Sequence, residues 1–319
     1  MTTAPADAPM FNPASWNLTR QQVQLCSEAR ELGQNRFAER AFHYDREAVF
    51  PTENYRDLHA AGLLGVCIPE DQGGRGADLK TYMLMAAEIG RYCGATALTF
   101  NMHVSSCLWT GQLTDSLEMD AATRAEHEQM RARHYRRIIA DGAIYAQPFS
   151  EGGDAAAGKT AFGTTALATD GGWLISGKKI FASLAGHADY YGVLCTEITA
   201  PDDEPSRRNT MYIAVPADAE GVSVVGGWDP LGMRGTVSRT LLFDQVFVPH
   251  EAQLMPRGIY FQAAKNWPHM FMTLTPSYMG IAQAAYDFTV RYLRGEMPGT
   301  PRSNAACTRP NRSRWHKCE

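Results

Sequence analysis

The hydrophobic period changes twice along this chain, from 3.6 residues to two near Asp141 and back after Pro249, and this double switch restricts the fold most. Before Asp141 the pattern is helical. Thr19 and Gln22 have capping-box spacing, and Val23, Cys26, Ala29 and Phe37 follow at helical intervals. Pro51 opens a second helix, with Tyr55, Leu58, His59 and Leu63 on one face and Gly62 near its end. Residues 71–76 form a glycine-rich turn that cannot continue a helix; 79–90 restore the period through Met83, Ala86, Ala87 and Ile89. Helical text also covers 97–113 and 121–139.

After Asp141, alternating or β-branched runs predict strands at 142–147, 164–169, 173–176, 190–196, 210–215, 222–225 and 240–248. Turn signals such as Asp170-Gly171-Gly172 separate them, the pattern of a small barrel or sandwich. Helix returns after Pro249, most clearly over 276–293. The expectation is an α+β multidomain chain: a loose leader (1–17), an N-terminal helical domain (18–140), a middle β-barrel (141–255), the start of a C-terminal helical bundle (256–301) and an atypical basic tail (302–319).

Hydrophobic residues make up 45% and charged residues 20%, proportions of a globular protein rather than a disordered one. A net charge of -4, without a basic stripe interleaved with aromatics, gives a nucleic-acid partner no support. The longest apolar stretches, such as 60–68, fall short of the roughly 20 residues that span a membrane. The first ten residues lack the positive start and apolar middle of a secretory signal, so a cytoplasmic location is expected. Seven cysteines without a C-x-x-C pair argue against a zinc or disulfide framework, and no metal is expected.

Three stretches carry a resemblance. The first is Gly62-Leu63-Leu64-Gly65-Val66-Cys67-Ile68-Pro69-Glu70-Asp71-Gln72-Gly73-Gly74. The second runs from Tyr145-Ala146-Gln147-Pro148-Phe149-Ser150-Glu151-Gly152-Gly153-Asp154 to Gly177-Lys178-Lys179-Ile180-Phe181-Ala182-Ser183. The third is Trp228-Asp229-Pro230-Leu231-Gly232-Met233-Arg234-Gly235-Thr236, continuing to Phe247-Val248-Pro249. In this order they resemble the acyl-CoA dehydrogenase family, whose middle domain embraces a flavin between a short polar loop and an aromatic-containing strand.

The resemblance implies FAD, an acyl-CoA or related small substrate, an electron-transfer flavoprotein or other electron acceptor, and a homo-oligomer where the C-terminal domain is complete. The matching cofactor residues are Gln147, Pro148, Phe149, Ser150, Phe181, Ala182 and Ser183, with Gly153 and Asp154 toward the substrate. Their chemistry agrees. A flat, largely apolar ring with polar edges needs an aromatic wall, which Phe181 can supply, and short hydrogen-bonding groups, which Ser150 and Ser183 can supply. Either residue alone reads as well as ordinary core or loop. His103, among apolar neighbours on a helix, reads better as a satisfied core histidine than as a site residue.

Acyl-CoA dehydrogenation needs a carboxylate within reach of the proton beside the thioester carbonyl. The resemblance puts that base in the C-terminal helices, beyond the end of this sequence, or in some members at the position of Met270, which cannot accept a proton. The neighbouring positions that help to hold the ester hold Pro268 and Phe271, leaving His269 as the one titratable candidate. The tail has five Lys or Arg and almost no aliphatic residues after Pro301, which reads as a frameshifted or truncated sequence; little dehydrogenase activity is therefore expected. A flavin monooxygenase on the same fold and a non-catalytic remnant are the competing readings.

Overall fold

The capping box forms as the spacing predicts. The Thr19 hydroxyl accepts from the Gln22 amide while the Gln22 side chain accepts from the Thr19 amide, and together they start α1 (Arg20–Leu32). The computed structural model describes residues 8–155, 159–267 and 272–297. A π-helical turn, Gly33–Phe37, joins α1 to α2 (Ala38–Arg46), and α3 (Thr52–Ala60), α4 (Leu79–Gly90), α5 (Gly94–Leu108) and α6 (Ala121–Asp141) follow. Part of the expected loose leader is packed: Phe11 is buried and the Met10 amide donates to Glu88. Helix α5 is buried almost all round and touches α4 and the sheet, so it forms the axis of the first domain.

Seven strands follow: β1 (Tyr145–Ala146), β2 (Thr165–Thr169), β3 (Gly172–Ala182), β4 (Tyr190–Ile198), β5 (Thr210–Pro216), β6 (Val222–Val225) and β7 (Arg239–Pro249). They form one curled sheet. β1 and β2 both run parallel to β4, at opposite ends of it, and β5 pairs antiparallel on its other edge. From β2 the sheet continues antiparallel through β3, β7 and β6.

Two strand boundaries differ from the sequence reading. β3 does not stop at Ser176, because Gly177 is a bulge rather than a turn; its φ of +148° and a close approach to Thr164 leave no room for a Cβ. β1 is only two residues long because Pro148, without an N–H, cannot extend the ladder.

Helices α7 (Tyr260–Asn266) and α8 (Thr275–Leu293) follow the sheet. α8 lies against α4, where Gly280 faces the Ala87 carbonyl and Gly90 faces the Ser277 carbonyl, each without space for a side chain. Its other face is open, with Tyr278 51% and Phe288 55% exposed, so large apolar side chains of this helix are uncovered. Among the described residues no helix is long and apolar enough to cross a membrane, and no group of three or more His, Cys, Asp or Glu could hold a metal ion. Gly280→Val should force α4 and α8 apart and cost about 1–3 kcal/mol, measured as a lower urea midpoint with the m-value retained.

Candidate functional site

The site is built outward from Tyr145, the first residue of β1. Its amide donates to His103 Nδ1 (3.0 Å), and His103 Nε2 lies 3.0 Å from the Leu64 carbonyl. Since a carbonyl only accepts, His103 is the neutral tautomer with its proton on Nε2. The same logic fixes His134: Nε2 donates to the Gln253 carbonyl (3.2 Å), so Nδ1 accepts from the Tyr145 hydroxyl (2.9 Å). Burial pushes His103 down to about 4 and His134 down to about 3. His103 is thus the satisfied core histidine expected from the sequence.

Tyr145 aims the chain into the loop Gln147–Ser150. Gln147 is buried and its Nε2 donates to the Tyr212 hydroxyl (3.1 Å), which donates to Ser106 Oγ (3.1 Å), which in turn donates to the Met102 carbonyl. Behind the loop, Trp109 stacks on Phe149 at 4.9 Å and contacts Tyr212 and Tyr260, an aromatic cluster spanning α5, β5 and α7. Trp109 begins a π-helical turn, Trp109–Leu113, whose wider winding breaks the helical phase after α5.

Two bonds join this loop to β3. The Ile180 amide donates to the Ser150 carbonyl at 2.8 Å. Lys179, fully buried, donates to Glu151 Oε1 (2.7 Å) and the Leu194 carbonyl (2.6 Å), with its Nζ 4.4 Å from the Phe162 ring centre. Glu151 also accepts from the Gly163 and Thr164 amides. Burial would raise the Glu151 carboxyl, but Lys179 and the Thr164 amide hold it below the usual carboxylate range. The Lys179 ammonium is pulled down by burial against the opposing attraction of Glu151.

At the end of β3, Phe181 is 66% exposed and adopts φ +52°, with Trp228 edge-on at 6.3 Å. Ser183 is buried; its amide donates to the Phe181 carbonyl, and its hydroxyl lies 2.8 Å from Ser238 Oγ. Leu184, Met233 and Val237 around it also have positive φ. The structure joins the end of the loop Gln147–Ser150 to β3 one residue before Phe181, through the Ser150–Ile180 bond, whereas Gly153 and Asp154 are exposed on the outer run of the loop. His269 lies outside the described residues.

Sequence reasoning missed Lys179, Glu151, Tyr212, Ser106 and Ser238. No sequence signal marked them: Lys179 lies beyond residue 176, where the sequence reading ends the strand, so its burial shows only once β3 is seen to continue.

Residues 19–113 match the acyl-CoA dehydrogenase N-terminal domain, and residues 149–246 match the acyl-CoA dehydrogenase middle domain. The chain belongs to the acyl-CoA dehydrogenase family. It is 25% identical over 284 residues to the probable acyl-CoA dehydrogenase YngJ of Bacillus subtilis, covering 88% of this chain and 70% of that relative. To L-evernosamine nitrososynthase of a Micromonospora species it is 30% identical, covering 85% of this chain and 61% of the other. Among solved structures, KijD3 in complex with FMN and a dTDP-linked amino sugar superposes with a TM-score of 0.72 at 25% identity, over 94% of this chain and 70% of that one. Butyryl-CoA dehydrogenase of Megasphaera elsdenii has the same fold, with a TM-score of 0.72 at 22% identity over 92% and 72% of the two chains. The family thus contains more than one chemistry on this fold.

Two outcomes follow from the buried groups. Because both histidines titrate lower when folded than in the unfolded chain, the unfolded state takes up protons first. The stability they contribute is complete above about pH 6.5 and falls as pH drops toward 4, by about 1.4 kcal/mol per pH unit for each. Urea unfolding at successive pH values reads this slope. Lys179→Met leaves Glu151 buried without its cation and should cost about 3 kcal/mol, with Glu151→Gln/Lys179→Met recovering part of the loss in the same assay.

Proposed function

We propose that the chain is a flavin-dependent oxidoreductase of the acyl-CoA dehydrogenase type that holds FAD between the loop 147–150 and the segment 181–183, with hydride transfer from an acyl-CoA thioester impaired in this chain. The observation that carries this reading is the junction of the two segments by the Ser150–Ile180 bond, which sets an exposed aromatic ring beside buried hydroxyls. That combination fits a flat apolar ring with polar edges. Phe181, with Trp228 against it, would form the wall, Ser183 would meet a polar edge, and the backbone of 147–150 would line the opposite side. Flavin bound there supplies the acceptor for the electron pair. The aromatic cluster of Trp109, Phe149, Tyr212 and Tyr260 would exclude water from the reacting face. FMN in the structure of the relative KijD3 supports the choice of a flavin, and acyl-CoA dehydrogenases among the relatives support the thioester. An electron-transfer flavoprotein or another acceptor would reoxidise the cofactor, a homo-oligomer would cover α8, and the setting would be cytoplasmic.

One observation favours a second reading, a flavin monooxygenase on the same fold. The groups behind the loop are neutral, Gln147, Tyr212 and Ser106, and the adjacent carboxylate, Glu151, is bound up with Lys179 and two amides. A proton acceptor for thioester chemistry would have to come from another segment.

Anaerobic mixing of the FAD-loaded protein with short-, medium- and long-chain acyl-CoAs should bleach the flavin absorbance only slowly, in line with the low dehydrogenase activity expected from the sequence. Oxygen consumption with externally reduced flavin, and no bleaching by any acyl-CoA, would decide for the monooxygenase. Phe181→Ala and Ser183→Ala should each lower the flavin content of the purified protein; unchanged content and spectrum in both would place the site elsewhere.

A further inference from the structure

Helix α8 is buried only at its start: Pro276, Ser277 and Gly280 are covered, and no residue from Ile281 to Leu293 is. Ala284, Asp287, Phe288 and Arg291, at i, i+3, i+4 and i+7, share one face of the uncovered part. That face forms one side of a cleft of about 610 Å³. The other side holds Arg91 and Tyr92 at the end of α4, and Gln34 and Asn35 from the π-helical turn after α1. A Cβ on Gly33 would lie 2.2 Å from the Tyr92 ring, so glycine is what lets this turn rest on the ring and present its carboxamides to the cleft.

Three charged side chains line the cleft, and two of them cancel. Arg91 Nε and Nη2 reach Asp287 Oδ2 at 2.7 and 2.6 Å, while Asp287 Oδ1 accepts from Gln283. This ion pair spans the gap between α4 and α8. Arg291 is exposed and has no ion pair or side-chain hydrogen bond among the described residues, so the lining carries one uncompensated positive charge. Beside it Phe288 is exposed, as is Asn35. An open aromatic face accepts a flat base, a carboxamide pairs with a base edge as donor and acceptor, and a guanidinium accepts a phosphate. A small aliphatic acid would use the guanidinium alone and leave the ring and the carboxamides idle. The volume lies within the range of roughly 300–1,000 Å³ that small-molecule sites occupy.

We propose that this cleft binds adenosine 5′-monophosphate, with the base on Phe288, its edge on Gln34 and Asn35, and the phosphate on Arg291. The carboxamides favour adenine, whose amino group and adjacent ring nitrogen they match as a bidentate pair. The cleft shares no residue with the loop 147–150 or the segment 181–183, so the inference stands independently of the flavin reading. A nucleotide held there joins α8 to the first domain and stabilises the folded chain by mass action.

The experiment is calorimetric titration of the full chain with AMP in the presence of excess FAD, together with thermal unfolding at rising AMP concentration. AMP should bind saturably at one site and raise Tm. Arg291→Gln should weaken AMP about tenfold and leave the affinity for adenosine, which lacks the phosphate, unchanged. Phe288→Ala should weaken AMP and adenosine alike, again about tenfold. Both positions are exposed, so neither replacement disturbs the core. Tyr278→Ala, outside the cleft on the same helix, should leave AMP affinity as it is, which separates a lost contact from a loosened helix. The proposal is overturned by the absence of saturable AMP binding, by an AMP affinity that neither Arg291→Gln nor Phe288→Ala changes, or by equal weakening of AMP and adenosine in Arg291→Gln.

Discussion

The arrangement depends on Tyr145, gripped at both ends by neutral histidines. Its amide is held by His103 from α5 and its hydroxyl by His134 from α6, while its ring stacks on Tyr190 of the sheet at 4.9 Å. One residue therefore belongs to the helical domain and the sheet at once. The histidines accept only while uncharged, and burial keeps them so. An unpaired polar group at this depth would be costly, which makes the geometry stiff. Stiffness here matters because the next residues are the loop that faces the end of β3.

The sheet meets this loop with a second polar device. A lysine on a strand's buried face would be expelled unless neutralised, and Glu151, the Leu194 carbonyl and the Phe162 ring together do so. In consequence the far end of the loop cannot drift from β3. The near end is set by histidines and the far end by an ion pair, and the intervening residues have little freedom left. The helical domain and the sheet thus meet at this loop, which neither could shape alone.

Much of this was legible in the sequence, and the limit has a physical cause. The period switches gave the order of helices and strands because periodicity reports on burial of one face, a property each segment expresses locally. Gln147–Ser150 and Phe181–Ser183 were paired in the sequence only through the resemblance, because the 30 residues between Ser150 and Phe181 hide any link from spacing alone. Gly177 was misread because a glycine that ends a strand and a glycine that bulges one look alike until its partner strand is known. Ser238 was invisible for the same reason: a hydroxyl in a strand-end segment gains meaning only from the hydroxyl across from it. The π-helical turn at Trp109 was read as continuous helix because one extra residue in a turn leaves the apolar pattern almost intact.

Four residues other than glycine, Phe181, Leu184, Met233 and Val237, share the left-handed backbone region around Ser183. Each such conformation costs roughly 1–3 kcal/mol, and glycine would avoid the cost at any of them. Burial decides the balance at each position: Leu184 and Val237 are buried and would lose more in packing than glycine returns in backbone strain, whereas Phe181, 66% exposed, holds its left-handed conformation with little packing of its own, so the strain there is carried by the frame around it.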